Sequence, residues 1–211
     1  MPDRLLRLES TLAGLLPPGS ALASADPKQS YPLLPGEEAG AMIAKRAAEF
    51  SAGRYAARLA LARLGEAEQA IPRAPDRAPC WPEGIRGSIT HSREACLAAV
   101  TREGRGLGLD LELARDFDPG LISRIAHADD QVTGWPEERH GVMIFSAKEA
   151  AYKAQYPLSQ RVFGFEKMAV RIEGTRLVAR FREGIAPFAA GEQLTGRITL
   201  AEGHVLSAVW L

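Results

Sequence analysis

The chain has no net charge: Lys and Arg together number 26, and so do Asp and Glu. No global field therefore draws it to nucleic acid or to an anionic membrane, and any anion it binds must be held by a local cluster. Cysteine is scarce. Cys80 and Cys96 lack C-x-x-C spacing, which argues against a disulfide scaffold or a cysteine-based zinc site and leaves two reduced thiols of a cytoplasmic protein as the expectation. No apolar run approaches the ~20 residues needed to span a bilayer. Acidic Asp3 and Glu9 near the start do not suit a secretory leader, so neither membrane nor nucleic acid is an expected partner. What is present is ordinary for a globular chain: 211 residues, 46% hydrophobic and 25% charged. That is enough for one large domain or two small lobes, and it excludes wholesale disorder.

Pro, Gly and Ser crowd residues 17–36, which predicts an irregular connection there. From Glu37 to Leu64 the apolar positions Ile43, Ala47, Phe50, Tyr55, Leu59 and Leu61 recur at helical spacing, with Gly65 as a C-terminal stop. A second irregular stretch, 71–87, delivers the chain to strands at 88–90, 95–101 and 106–113. Residues 142–155 read as helix, and 168–172, 177–181, 196–200 and 205–211 as strands. Two segments echo each other. FSAGRYAARLA at 50–60 resembles FSAKEAAYKA at 145–154, and GSITHSREACLAAV at 87–100 resembles GRITLAEGHVLSAV at 196–209. The expectation is an α+β fold of two similar lobes, 1–108 and 109–211, related by a pseudo-two-fold axis, with the active site in the cleft between them.

In GLGLDLEL (106–113) the leucines alternate with Asp110 and Glu112. The two carboxylates therefore share one strand face about 7 Å apart at their Cα atoms. Like charges so placed need a cation or a proton, and carboxylate oxygens suit Mg²⁺; a solvated face paired with Lys or Arg is the plain alternative. In FSAKEAAYKA, Glu149 and Lys153 stand one helical turn apart. That spacing fits a surface ion pair as well as it fits a third metal ligand with a cation beside it. Thr90 and His91 end a strand next to Gly87 and Ser88, small and hydroxylated positions where a phosphate can approach backbone. Arg46 and Arg54 lie two turns apart on one helix, and arginine forks suit phosphate monoesters.

The ordered motifs R-x-x-x-F-x-x-G-R-x-x-A-R (46–58), W-P-x-G-I-x-G-S-I-T-H-S (81–92), G-L-D-L-E (108–112) and F-S-A-K-E-A-x-Y-K-A (145–154) resemble those of the 4′-phosphopantetheinyl transferase superfamily, and within it the enterobactin-synthetase component D group. The resemblance implies Mg²⁺ held by Asp110, Glu112 and Glu149 on the diphosphate of coenzyme A. It implies phosphate contacts from His91 and Thr90, Lys148 and Lys153 along the diphosphate, and Arg46 and Arg54 at the nucleotide end. Arg73 stands where the family often has a basic residue. Phe145 and Ala150 stand where relatives commonly have Trp and Ser, and neither change removes a charge. The implied reaction moves 4′-phosphopantetheine from coenzyme A to a serine of an apo acyl or peptidyl carrier protein, releasing 3′,5′-ADP, with Glu149 as base and Lys153 stabilising the leaving group. Two other readings use the same residues: a non-catalytic coenzyme A or nucleotide-binding regulator, and a Mg²⁺-dependent phosphohydrolase. A monomer is expected, since one chain carries both lobes.

Overall fold

The computed structural model describes residues 2–38, 40–115 and 119–211. Its α+β chain forms two compact units, Met1–Gly104 and Arg105–Leu211. A boundary at 108/109 would fall inside a strand, β4 (Leu107–Leu113).

The first unit runs α1 (Pro2–Ala13), β1 (Ala21–Ala25), α2 (Ala44–Arg63), β2 (Arg86–His91) and β3 (Cys96–Thr101). Its three-stranded antiparallel sheet has the order β1-β3-β2. Strand β1 corrects the expectation of an irregular 17–36 stretch. Its sequence, ALASA, carries almost no intrinsic strand preference; pairing with β3, Ala21 opposite Val100 through Ala25 opposite Cys96, imposes the extended form. The helix also starts later than expected, at Ala44 rather than Glu37. Gly36 just before this stretch and Gly40 within it take positive φ, a backbone that glycine adopts without strain. Its end is as anticipated. Gly65 at φ 88° closes a Schellman motif, in which Glu66 N–H donates to the Leu61 carbonyl and Gly65 N–H to that of Ala62. Ala52, Ala56, Ala57 and Ala60 of α2 are buried with Ala23, Ala25, Ala98 and Val100 of the sheet, so small side chains let helix and strands pack closely.

The second unit adds to β4 the elements α3 (Pro119–Ile125), β5 (Gln131–Thr133), α4 (His140–Ser159), β6 (Met168–Glu173), β7 (Arg176–Phe181), β8 (Gln193–Ala201) and β9 (His204–Trp210). The six strands lie in the order β4-β9-β8-β7-β6-β5, antiparallel except for the parallel β5–β6 pair. In the first unit a strand, a helix and a hairpin give the order β1-β3-β2; here β4, α4 and the β8–β9 hairpin give β4-β9-β8. Helix α4 outruns the expected 142–155 at both ends, carries Pro157 in its last turn, and stops at Gln160 with φ 52°. Among the described residues no helix is long and apolar enough to cross a membrane.

One contact positions the acidic strand. A Cβ on Gly106 would collide with the Ala154 carbonyl oxygen, and one on Gly108 with that of Ala150. The α4 backbone thus lies directly on β4. Strand periodicity puts Asp110 and Glu112 on the same face as Gly108, and Ser207, opposite Asp110 in register, bonds Ser146 of α4 at 2.8 Å. We expect Gly108→Ala to push β4 off α4 and to destabilise the chain by about 3 kcal/mol, the upper end of ordinary overpacking. A urea melt with unchanged midpoint would contradict this contact.

Candidate active site

Asp110 is 5% exposed. Its Oδ1 accepts from Lys153 Nζ at 2.7 Å, and the same ammonium donates to the Leu109 carbonyl at 2.9 Å. The lysine of α4 thus reaches across to β4 instead of pairing with Glu149 on its own helix, as the i,i+4 spacing suggested. Asp110 Oδ2 is buried and has no hydrogen-bond partner. Beside it, Glu112 has its pKa pushed up to about 7 by burial first and then by the Asp110 charge, with a smaller push from Glu149 and an opposing pull from Lys153. Burial raises the pKa of Glu149 as well; Lys153 counters this and Asp110 adds to it.

Three carboxylates therefore crowd one ammonium. The set fits a hard cation in its chemistry, since the donors are all oxygens, they repel one another, and one buried oxygen has no partner. Among the described residues, no three acidic, His or Cys groups stand close enough as placed to close around an ion.

Lys148 goes elsewhere. It is 2% exposed, and its ammonium donates to the Ile125 carbonyl at 2.8 Å, to Asp130 Oδ2 at 2.7 Å and to the Phe165 carbonyl at 3.3 Å. Three donors meet three acceptors. The expectation placed Lys148 along the diphosphate; here all three of its donors are taken up by protein acceptors. Asp130, which the sequence reading missed, also accepts from His127 N–H at 2.9 Å and Val170 N–H at 2.8 Å. In the sequence it is one of two adjacent aspartates with the look of a solvated turn.

In the first unit, α2 and the end of β2 bring Arg46 and His91 together: Arg46 Nη1 lies 2.6 Å from His91 Nε2. Arginine only donates, so this ring nitrogen accepts. Arg46 also reaches Glu49 at 3.2 Å. Thr90 is not part of that group. It is 4% exposed and alternates with His91 along β2, so its side chain leaves the opposite face. Two turns along α2, Arg54 is 5% exposed, with its guanidinium carbon 4.5 Å from the Phe50 ring centroid. Arg73 approaches the same ring at 6.0 Å. Burial lowers the pKa of Arg54, the nearby Arg73 lowers it further and Glu37 holds it up. Arg54 Nε is buried without a partner. The arrangement is one of clustered, partly desolvated guanidiniums, which favours a bound anion.

Comparison with known proteins identifies the class. Residues 34–101 match the 4′-phosphopantetheinyl transferase N-terminal domain, and residues 106–207 match the 4′-phosphopantetheinyl transferase superfamily. The 4′-phosphopantetheinyl transferase PptT of Mycobacterium tuberculosis is 35% identical over 183 residues, covering 80% of this chain and 81% of that one. The 4′-phosphopantetheinyl transferase Npt of Nocardia iowensis is 31% identical over 189 residues, 79% of this chain and 83% of that one. Enterobactin synthase component D of Salmonella typhi is 36% identical over 115 residues, 52% of this chain and 48% of that one. The chain belongs to the 4′-phosphopantetheinyl transferase superfamily. It is a transferase that moves phosphopantetheine to carrier proteins, with coenzyme A as its substrate.

Two outcomes are expected from this geometry. Lys148→Met leaves the buried Asp130 charge without its counterion and should cost roughly 3–5 kcal/mol of stability. Lys148→Met/Asp130→Asn should recover part of that loss in denaturant melts. A diphosphate ligand would behave differently, losing coenzyme A affinity at unchanged stability. The second outcome concerns pH in the metal-free protein. Glu112 holds its proton to about pH 7 when folded against an ordinary 4.5, so the folded chain binds more protons than the unfolded one in that window. The contribution of Glu112 to stability should therefore be full below the ordinary value and be lost as pH rises through about 7. Melting temperatures in chelator should show this slope, and Glu112→Gln should flatten it; identical profiles would contradict the assignment.

Proposed function

We propose that this chain catalyses the Mg²⁺-dependent transfer of 4′-phosphopantetheine from coenzyme A to a serine hydroxyl of an apo acyl or peptidyl carrier domain, releasing 3′,5′-ADP. The observation that carries the reading is Asp110: buried, bonded through one oxygen to Lys153, bare at the other, and crowded by Glu112 and Glu149. Asp110, Glu112 and Glu149 would hold the metal, which when bound neutralises charge on the phosphoryl oxygens.

The remaining chemistry falls to side chains. The serine oxygen forms a bond to the β-phosphorus, and the bond from that phosphorus to the bridging oxygen breaks. Glu149, whose proton affinity is raised by burial, accepts the serine proton. Lys153, 29% exposed, would turn from Asp110 to meet charge developing on the departing 3′,5′-ADP. Arg46 with His91, and Arg54 with Arg73, would hold the nucleotide end of coenzyme A through its phosphates. Because the net charge is zero, this local cluster and the metal must together balance about four negative charges of coenzyme A.

We also read the matching strand–helix–hairpin orders of the two units as a duplicated, pseudo-two-fold lobe pair. The chain acts as a monomer in the cytoplasm, without nucleic-acid or membrane partners, on carriers of siderophore or other secondary-metabolite assembly.

Transfer of a fluorescent pantetheine from coenzyme A to an apo carrier protein tests the reading against a regulator, which transfers nothing, and a phosphohydrolase, which needs no carrier. Asp110→Ala, Glu112→Ala and Glu149→Ala should each abolish transfer at millimolar Mg²⁺, and near-normal rates in any two would end the metal-site reading. Lys153→Met should lower kcat by ~10²-fold or more, as loss of one preorganised donor does. Wild-type kcat in Lys153→Met, with only a lower melting temperature, would reduce the lysine to a structural partner of Asp110.

A further inference from the structure

Behind Arg54 and Arg73 lies a second ion pair that the transfer chemistry does not use. Glu37 is 1% exposed, an unusual setting for a glutamate in a Pro- and Gly-rich loop. Its Oε2 accepts from Arg58 Nη1 and from Leu34 N–H at 3.0 Å, and its Oε1 accepts from Ile71 N–H at 2.9 Å. Arg58, 7% exposed, donates from Nη2 to the Pro32 carbonyl at 2.7 Å, and its Nε lies 4.0 Å from Glu68. One carboxylate therefore ties three stretches of chain together: the 32–37 loop, helix α2 and the segment entering Arg73.

The placement of those ties is specific. Arg58 lies one turn after Arg54, so both stand on one face of α2. Ile71, fully buried in the core of this unit, is two residues before Arg73. Gly40, three residues after Glu37, lies beside the Arg73 guanidinium: a Cβ built there would be 3.7 Å from Nη2. The Glu37 charge also acts on Arg54 itself, favouring its charged form against burial and against Arg73. Two guanidiniums near one aromatic ring, one of them desolvated, repel each other and need both a fixed counter-charge and a rigid backbone to stay convergent.

We infer that the buried Glu37–Arg58 pair is a positioning device for the Arg54–Arg73 pair, holding the two guanidiniums convergent on the ribose 3′-phosphate and so setting preference for coenzyme A over dephospho-coenzyme A. This rests on the reading that Arg54 and Arg73 meet the nucleotide end. Glu37 and Arg58 touch no ligand in it; they act through the arginines.

Calorimetric titration of the full chain with coenzyme A and with dephospho-coenzyme A tests it. The wild-type protein should prefer coenzyme A by ~10-fold or more, the worth of a charge-assisted contact. Glu37→Gln should shrink that preference to about 3-fold or less while changing dephospho-coenzyme A affinity by less than about 2-fold. A merely structural pair would lower the melting temperature and move both affinities together. Glu37→Leu/Arg58→Met covers the case of a poorly folded single variant, because an apolar pair tolerates burial without charge. This double variant should fold and still lose the preference; if it folds and keeps it, the inference is overturned. Arg54→Ala separates the layers. Lost preference in Arg54→Ala with full preference in Glu37→Gln overturns the inference alone. Full preference in Arg54→Ala overturns the nucleotide-end reading and the inference with it.

Discussion

The backbone-to-backbone contact of β4 with α4 is the constraint on which the acidic site depends. Only glycine at 106 and 108 lets the strand lie against the Ala150 and Ala154 carbonyls. That contact turns Asp110 and Glu112 toward the helix that carries Glu149 and Lys153. The cost is electrostatic: three carboxylates share one ammonium in a partly desolvated setting, and Glu112 responds by keeping its proton to about pH 7. Such crowding is unfavourable for stability and useful for holding a cation or moving a proton.

Two lysines five residues apart on α4 show how much the helix period decides. At 100° per residue they point about 140° apart. Lys148 turns into protein and finds Asp130 and two carbonyls; Lys153 turns toward β4 and remains part exposed on Asp110. The first pair, 2% and 1% exposed, can only hold α4 to the α3–β5 loop and to the turn before β6. The second keeps its ammonium within reach of solvent. Motif likeness treats both lysines alike, whereas burial separates them.

The first unit uses the same physics with the signs reversed. Its alanine-rich helix packs close to a small sheet, and on it Arg46, Arg54 and Arg58 sit at positions where a guanidinium finds an imidazole, an aromatic ring and a buried carboxylate in turn. Arg58 is satisfied by protein. Arg54 keeps an unpartnered Nε, so two arginines one turn apart on the same helix are unequally satisfied by protein.

The sequence by itself determined the α+β class, the long helices and most strands, because their apolar periods are written locally. It determined the acidic strand too, since alternation of leucine with Asp110 and Glu112 needs no tertiary information. Tertiary structure decided the rest. Strand β1 forms because β3 offers it a ladder, not because ALASA prefers one. Lys153 chooses Asp110 over Glu149, Lys148 turns into the core, and Thr90 parts from His91, because faces of helices and strands acquire meaning only when something packs on them. Glu37 and Asp130 looked like loop charges in the chain; burial among backbone N–H groups and a single cation made each an anchor, and no local pattern announces that.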